Sequence, residues 1–188
     1  MTRPVNLDSL TSKKLQSYSE NTLRTQIIIP FLYDMRASRV EDQQGSNEQG
    51  IDVYFETRDI FGHTRGFGIQ IKKGDLICKH RDKPNRNIME ICLQIKSGFG
   101  KEFLLSTSSA GKFPVQIDGY YIIISGKIND PAKFHIHQQR HSYPYLHVID
   151  GSELIQIIGR RDIIGKIPTG FPYRGENEQG RTAHRLRR

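Results

Sequence analysis

The chain has 188 residues, of which 36% are hydrophobic and 26% charged, a balance that suits one domain able to bury a core. No window approaches the ~18 consecutive apolar residues of a membrane span, and the opening MTRPVNLDSLTSKK lacks the apolar centre of a signal peptide, so a cytoplasmic protein with no membrane partner is expected. The formal net charge of +8 favours a polyanionic partner, nucleic acid before an anionic membrane surface.

A short helix is expected over Leu7–Tyr18. Ser19 then reads as an N-cap ahead of ENTLRTQIIIPFLYDM. Leu23, Ile27, Phe31 and Met35 give that helix one apolar face, and Pro30 should kink rather than end it. Residues Arg36–Gly50 read as a polar loop. Ile51–Thr57 alternates apolar and polar residues as a strand does, RDIFGHTR holds a turn, and Gly66–Lys73 is a second strand with Phe67, Ile69 and Ile71 on one face. Gly74–Asn87 is a basic loop. Ile88, Ile91, Cys92, Ile95 and Phe99 then recur at helical spacing, so a helix is expected from about Asn87 to Gly98. In Gly100–Ile117, FLLSTSS is compatible with either a strand or a helix continuation, and SAGKFPV reads as a loop. Tyr120–Ser125 is a buried strand. Asp130–Arg140 is a helix capped at Asn129 or Asp130, with Pro131 in its first turn. Tyr145–Ile149 is a strand and Ser152–Gly159 a helix. The order is that of a mixed α/β domain, a sheet flanked by helices.

Polar groups among the isoleucines of two strands raise the question of function. The hairpin is centred on RDIFGHTR, so Asp52 should lie opposite Gln70 or Lys72. Residues two apart share a strand face, so Gln70 and Lys72 point the same way. A carboxylate and an amide oxygen one strand apart are hard ligands suited to Mg²⁺ or Mn²⁺, and the backbone carbonyl of Ile71 could complete the protein's share. Lys72 beside them could orient a water or offset charge on a phosphate. The plain alternative is a cross-strand salt bridge between Asp52 and Lys72, with Gln70 on a solvated face.

The pieces Gly50–Ile51–Asp52 and Gln70–Ile71–Lys72 resemble the D…(E/Q)xK core of the PD-(D/E)XK nuclease superfamily, most of all its Mrr-like restriction endonuclease branch, in which Gln often replaces the second acid. The resemblance runs over about Ser19–Gly159. YYIIISG, NDPAKFHIHQQ and YLHVIDGSELIQII follow QIK in the family's element order. It implies an α/β, restriction-endonuclease-like mixed central sheet flanked by helices. It also implies a Mg²⁺- or Mn²⁺-dependent endodeoxyribonuclease that acts on double-stranded DNA, in restriction or antiphage defence. By the same resemblance Asp52 is the metal-ligating acid, Gln70 replaces the second acid, Lys72 is the catalytic lysine, and Glu20 matches a Glu carried near the site by the first helix. Gln70 is the departure, since the site holds one negative charge fewer. Glu48 could add one, although a solvated loop residue explains it as well. A catalytically inactive nucleic-acid-binding module on this fold, or a structural domain of a larger defence protein, are the alternative functions. Many such enzymes act as dimers because each site cuts one strand, and a homodimer stays open here.

Lys79, Arg81, Lys83 and Arg86 follow the strand that bears Lys72, where a DNA backbone would pass, and Lys73 borders the same loop. His135, His137 and His141 have neither a Cys partner nor an HExxH-type Glu, so a solvated helix face or phosphate contact is expected of them. Cys78 and Cys92 have no metal-type spacing, and no disulfide framework is expected. Residues 1–165 read as a single domain and 166–188 as a Gly/Pro/Arg-rich tail or linker, compatible with a fragment of a multidomain chain. From Arg174 to Arg188 there are five Arg and two Glu, which leaves +5 for the remainder.

Overall fold

The computed structural model describes residues 5, 7–43, 50–107 and 111–160, without the side chains of 8, 103–107 and 111–115. The expectations for Glu48 and for the 166–188 tail lie outside the described residues.

The first expected helix is two pieces, a 3-10 turn (Leu7–Ser9) and α1 (Ser12–Ser17). Thr11 caps α1 by accepting the Lys14 N–H, so the chain restarts its helix there. Ser19 caps α2 (Glu20–Leu23) as expected, accepting the Thr22 N–H. The helix continues through a π-helical turn (Arg24–Ile28) into α3 (Ile29–Asp34). Pro30 sits in the first turn of α3 and does not end the helix. It has no N–H to donate, and the looser π turn just before it absorbs the missing bond.

Among the described residues, five strands form one mixed sheet, β1 (Arg39–Asp42), β2 (Val53–Arg58), β3 (Thr64–Lys72), β6 (Gly119–Ile124) and β7 (Leu146–Ile149), side by side in that order. β1, β2 and β3 are antiparallel neighbours, while β6 and β7 add on in parallel. The parallel steps are bridged by α4 (Arg86–Phe99) and α5 (Asp130–Gln138), and α6 (Gly151–Gly159) follows β7. This is the sheet flanked by helices that the sequence implies.

Two strands depart from expectation. β1 falls in the segment read as a polar loop, because RVED offers one apolar residue and forms an edge strand only half covered. A separate hairpin of β4 (Phe103–Thr107) and β5 (Gly111–Val115) precedes β6. Its second strand contains Gly111 and Pro114, which read as loop signals.

Alternation along the strands builds two cores. Tyr54, Tyr120, Ile122 and Ile124 pack with Ile88, Ile91 and Ile95 of α4 and Ala132 and Ile136 of α5. Val53, Phe55, Ile69, Ile71 and Ile123 pack on the other face with Leu15, Leu23, Ile27, Leu154 and Ile158. The central strands are thus covered on both sides, which makes any polar side chain within them costly unless it is partnered. No described helix is long and apolar enough to cross a membrane.

Candidate active site

The register places Val53 opposite Ile69, so Asp52, one residue earlier, comes opposite Gln70. The backbone of Asp52 is held from both edges. Its N–H donates to the Ile69 carbonyl at 2.8 Å, and its own carbonyl accepts the Gln43 N–H at 2.9 Å. Gly50 makes this entry possible. Its φ is +81°, a left-handed conformation that suits glycine, and a Cβ there would fall on the carbonyl oxygen of Gln94 in α4. The Tyr120 hydroxyl donates to the Gly50 carbonyl from the other side. Burial, and then the charge of Asp52, push the Tyr120 hydroxyl far above the ordinary tyrosine range, so it keeps the proton it donates.

Asp52 and Gln70 are both buried, at 9% and 5% exposure. Asp52 Oδ2 accepts the Gln70 side-chain amide at 2.8 Å and the Ile71 N–H at 2.6 Å. Gln70 therefore does not lie on a solvated face, which overturns half of the salt-bridge alternative. Its Oε1 is buried with no hydrogen-bond partner. An orphaned buried acceptor costs about 1–3 kcal/mol, and here it stands beside a carboxylate. A strand residue directs its N–H and C=O to the same edge, so the Ile71 carbonyl also faces the Asp52 side.

Lys72 shares the face of Gln70 beneath α4. Its ammonium reaches Glu90 Oε1 at 3.8 Å, with the two side chains 24% and 56% exposed. A pair this open is worth about 1 kcal/mol or less. Lys72 and Glu90, with Lys73, Asn87 and Ile91, line a cleft of about 200 Å³. Glu20 arrives from the opposite layer, where its Oε1 accepts the Lys73 N–H at 2.9 Å. It thus stands at the end of β3, one residue past Lys72.

Among the described residues no three His, Cys, Asp or Glu side chains gather into a metal-holding group. The oxygens on hand for a hard cation are those of Asp52, the orphaned amide of Gln70 and the Ile71 carbonyl. These fit Mg²⁺ or Mn²⁺ in donor type, with fewer charges than an all-carboxylate site.

The loop after β3 is anchored. Leu76 bridges to Ile128, the Cys78 N–H donates to the Asn129 side chain at 3.0 Å, and Asn85 donates to the Ile77 carbonyl at 2.6 Å. Lys73, Lys79, Arg81, Lys83 and Arg86 are exposed. Arg81 lies over the Phe134 ring at 5.1 Å.

His137 and His141 are exposed, as expected, but His135 is not. His135 is buried and its Nε2 lies 3.2 Å from the His80 carbonyl, so it ties α5 to the basic loop instead of facing solvent. Cys78 and Cys92 are free thiols.

Three further residues stand at the site, Glu90, Gln94 and Tyr120. Glu90 and Gln94 each precede a core isoleucine of α4, Ile91 and Ile95, and so border the buried face; the Gln94 Oε1 is likewise buried without a partner. Tyr120 lay within a strand read only as apolar.

No family model and no curated protein matches the chain. Among solved structures it is similar to the restriction endonuclease FokI bound to DNA, with a TM-score of 0.43 and 15% identity. It is also similar to the MspJI restriction endonuclease in complex with a 27-mer oligonucleotide, with a TM-score of 0.33 and 10% identity. Both likenesses cover 84% of this chain, which spans 28% of the first structure's chain and 35% of the second's.

Proposed function

We propose that this domain is a metal-dependent endonuclease that hydrolyses phosphodiester bonds of double-stranded DNA, of the Mrr-like PD-(D/E)XK type and serving restriction or antiphage defence. The observation that carries the reading is the pairing of Asp52 with Gln70 at 2.8 Å while the Gln70 Oε1 stays buried and unpartnered. Burying that much polarity between two apolar cores is a cost that stability alone does not repay.

Asp52, Gln70 and the Ile71 carbonyl would hold the cation. A bound Mg²⁺ or Mn²⁺ supplies a site for a phosphate oxygen and lowers the pKa of a water. Lys72, on the same face, orients the attacking water and offsets charge that builds on the phosphate. Its hold on Glu90 is loose enough to give up for a phosphate. Glu20, at the end of β3, would orient water or cation from the far side. The exposed cations Lys73, Lys79, Arg81, Lys83 and Arg86 would position the DNA backbone without reading sequence.

The neutral side chain of Gln70 favours a second reading, a DNA-binding module on this fold without catalysis. Plasmid incubated with the protein in Mg²⁺ or Mn²⁺, with and without EDTA, separates the two. The nuclease reading expects metal-dependent nicking or linearisation that Asp52→Ala abolishes. Gel shifts that survive EDTA with no cleavage on long incubation in Mn²⁺ would establish the module instead.

A further inference from the structure

We infer that Glu90 supplies the negative charge that Gln70 withholds, completing the cation site from α4 instead of from β3. The inference rests on the metal-site reading above and concerns a residue outside the D…QxK pattern.

A D…ExK site carries two carboxylates and one ammonium. With Gln70 in place of the second acid, the charges of Asp52 and Lys72 cancel, and of the carboxylates outside that pair Glu20 sits on the Lys73 N–H in the opposite layer. Glu90 restores the balance, because its carboxylate stands 3.8 Å from the Lys72 ammonium. It lines the same cleft as Lys72.

Orientation supports this. α4 lies over the face of the sheet that carries Asp52, Gln70 and Lys72, and its Gln94 backbone touches Gly50, two residues before Asp52. Glu90 is one turn before Gln94 on the same side of α4, so the helix that braces Asp52 also carries Glu90 to the end of β3. The buried Gln70 Oε1, without a partner, leaves an oxygen on that face for a cation to take.

The Glu90 side chain is 56% exposed, so it can change rotamer without disturbing the core. Without a cation it rests on Lys72. With one it turns inward, and Lys72 is released toward the phosphate.

The test is Mn²⁺ binding to the full chain without DNA, followed by loss of the free-ion EPR signal, for wild type, Glu90→Gln, Gln70→Glu, the double variant and Asp52→Ala. Glu90→Gln should weaken binding about tenfold or more. Gln70→Glu should strengthen it, and the double variant should return close to wild type, because one acid replaces the other. Unchanged affinity in Glu90→Gln overturns the inference, as does weakening that Gln70→Glu fails to repair. Asp52→Ala reports on the underlying reading separately: if it binds Mn²⁺ as wild type does, the cation site itself is wrong. Thermal melts of each variant confirm that the fold is intact.

Discussion

Replacing Gly50 by alanine should damage the protein far more than the same change at Gly62, although both glycines are left-handed, with φ of +81° and +84°. Alanine in that conformation costs about 1–2 kcal/mol, offset by roughly 0.4–1 kcal/mol from a stiffer unfolded chain. That is the whole cost at Gly62, where a Cβ meets nothing within 4 Å. At Gly50 the new Cβ lands on the Gln94 carbonyl oxygen, so either α4 or the entry to β2 must move. Overpacking of this kind adds about 1–3 kcal/mol. Gly62→Ala should therefore cost about 1 kcal/mol and Gly50→Ala about 2–4 kcal/mol by urea unfolding. At roughly 2–4 °C per kcal/mol for a chain of this length, Gly50→Ala should melt on the order of 5–15 °C lower. It should also weaken cation binding, since it shifts Asp52 against Gln70. Equal costs at the two positions would refute the claim that α4 fixes the approach of Asp52 through Gly50.

Other expectations are open to measurement. Asp150 caps α6 by accepting the Ser152 and Glu153 N–H groups, each at 3.0 Å, so Asp150→Ala should cost about 1 kcal/mol in denaturant melts. Partial burial opposes ionisation of Asp150, but hydrogen bonds from Ser152 and Glu153 outweigh it and hold its carboxyl below the ordinary range. A depressed folded-state pKa means that this cap stabilises fully above the ordinary value of about 3.9 and is lost as the pH falls through the folded value. The wild-type advantage over Asp150→Ala should accordingly shrink only in acid; an advantage unchanged down to about pH 2 would contradict the assignment. Lys79→Ala with Lys83→Ala should weaken binding evenly across DNA sequences and lower the slope of log affinity against log salt by about 2. A slope that stays the same would remove these lysines from the backbone contact.

Strand alternation made the central hairpin readable, because Val53 and Phe55 face Ile69 and Phe67 across a tight turn. It also carried the pairing of Asp52 to within one step, Gln70 or Lys72, and the observed register settles on Gln70. β1 was not legible because Val40 is its only apolar residue and the partner that makes it a strand, β2, is a tertiary neighbour. Burial of Gln70 was not legible either, since alternation cannot tell a solvated face from one covered by a helix that begins at Arg86. That same helix hid Glu90. Its spacing against Ile91 marks it as bordering the core, yet its meeting with Lys72 depends on how α4 crosses β3. Ser19, Asn129 and Asp150 all cap their helices through local bonds; Ser19 was readable from sequence alone, whereas for α5 the sequence left Asn129 and Asp130 open.

The most direct test of the account is the rate of plasmid nicking in Mn²⁺ by wild type and Lys72→Ala, with melting curves taken in parallel. Lys72 pairs with an exposed Glu90, so its removal should leave the melting temperature within about 2–4 °C of wild type, a change of ~1 kcal/mol at most. Cleavage should nonetheless fall about a hundredfold or more, the scale at which loss of one group aimed at developing charge is felt. Cleavage by Lys72→Ala at the wild-type rate would contradict this role of Lys72.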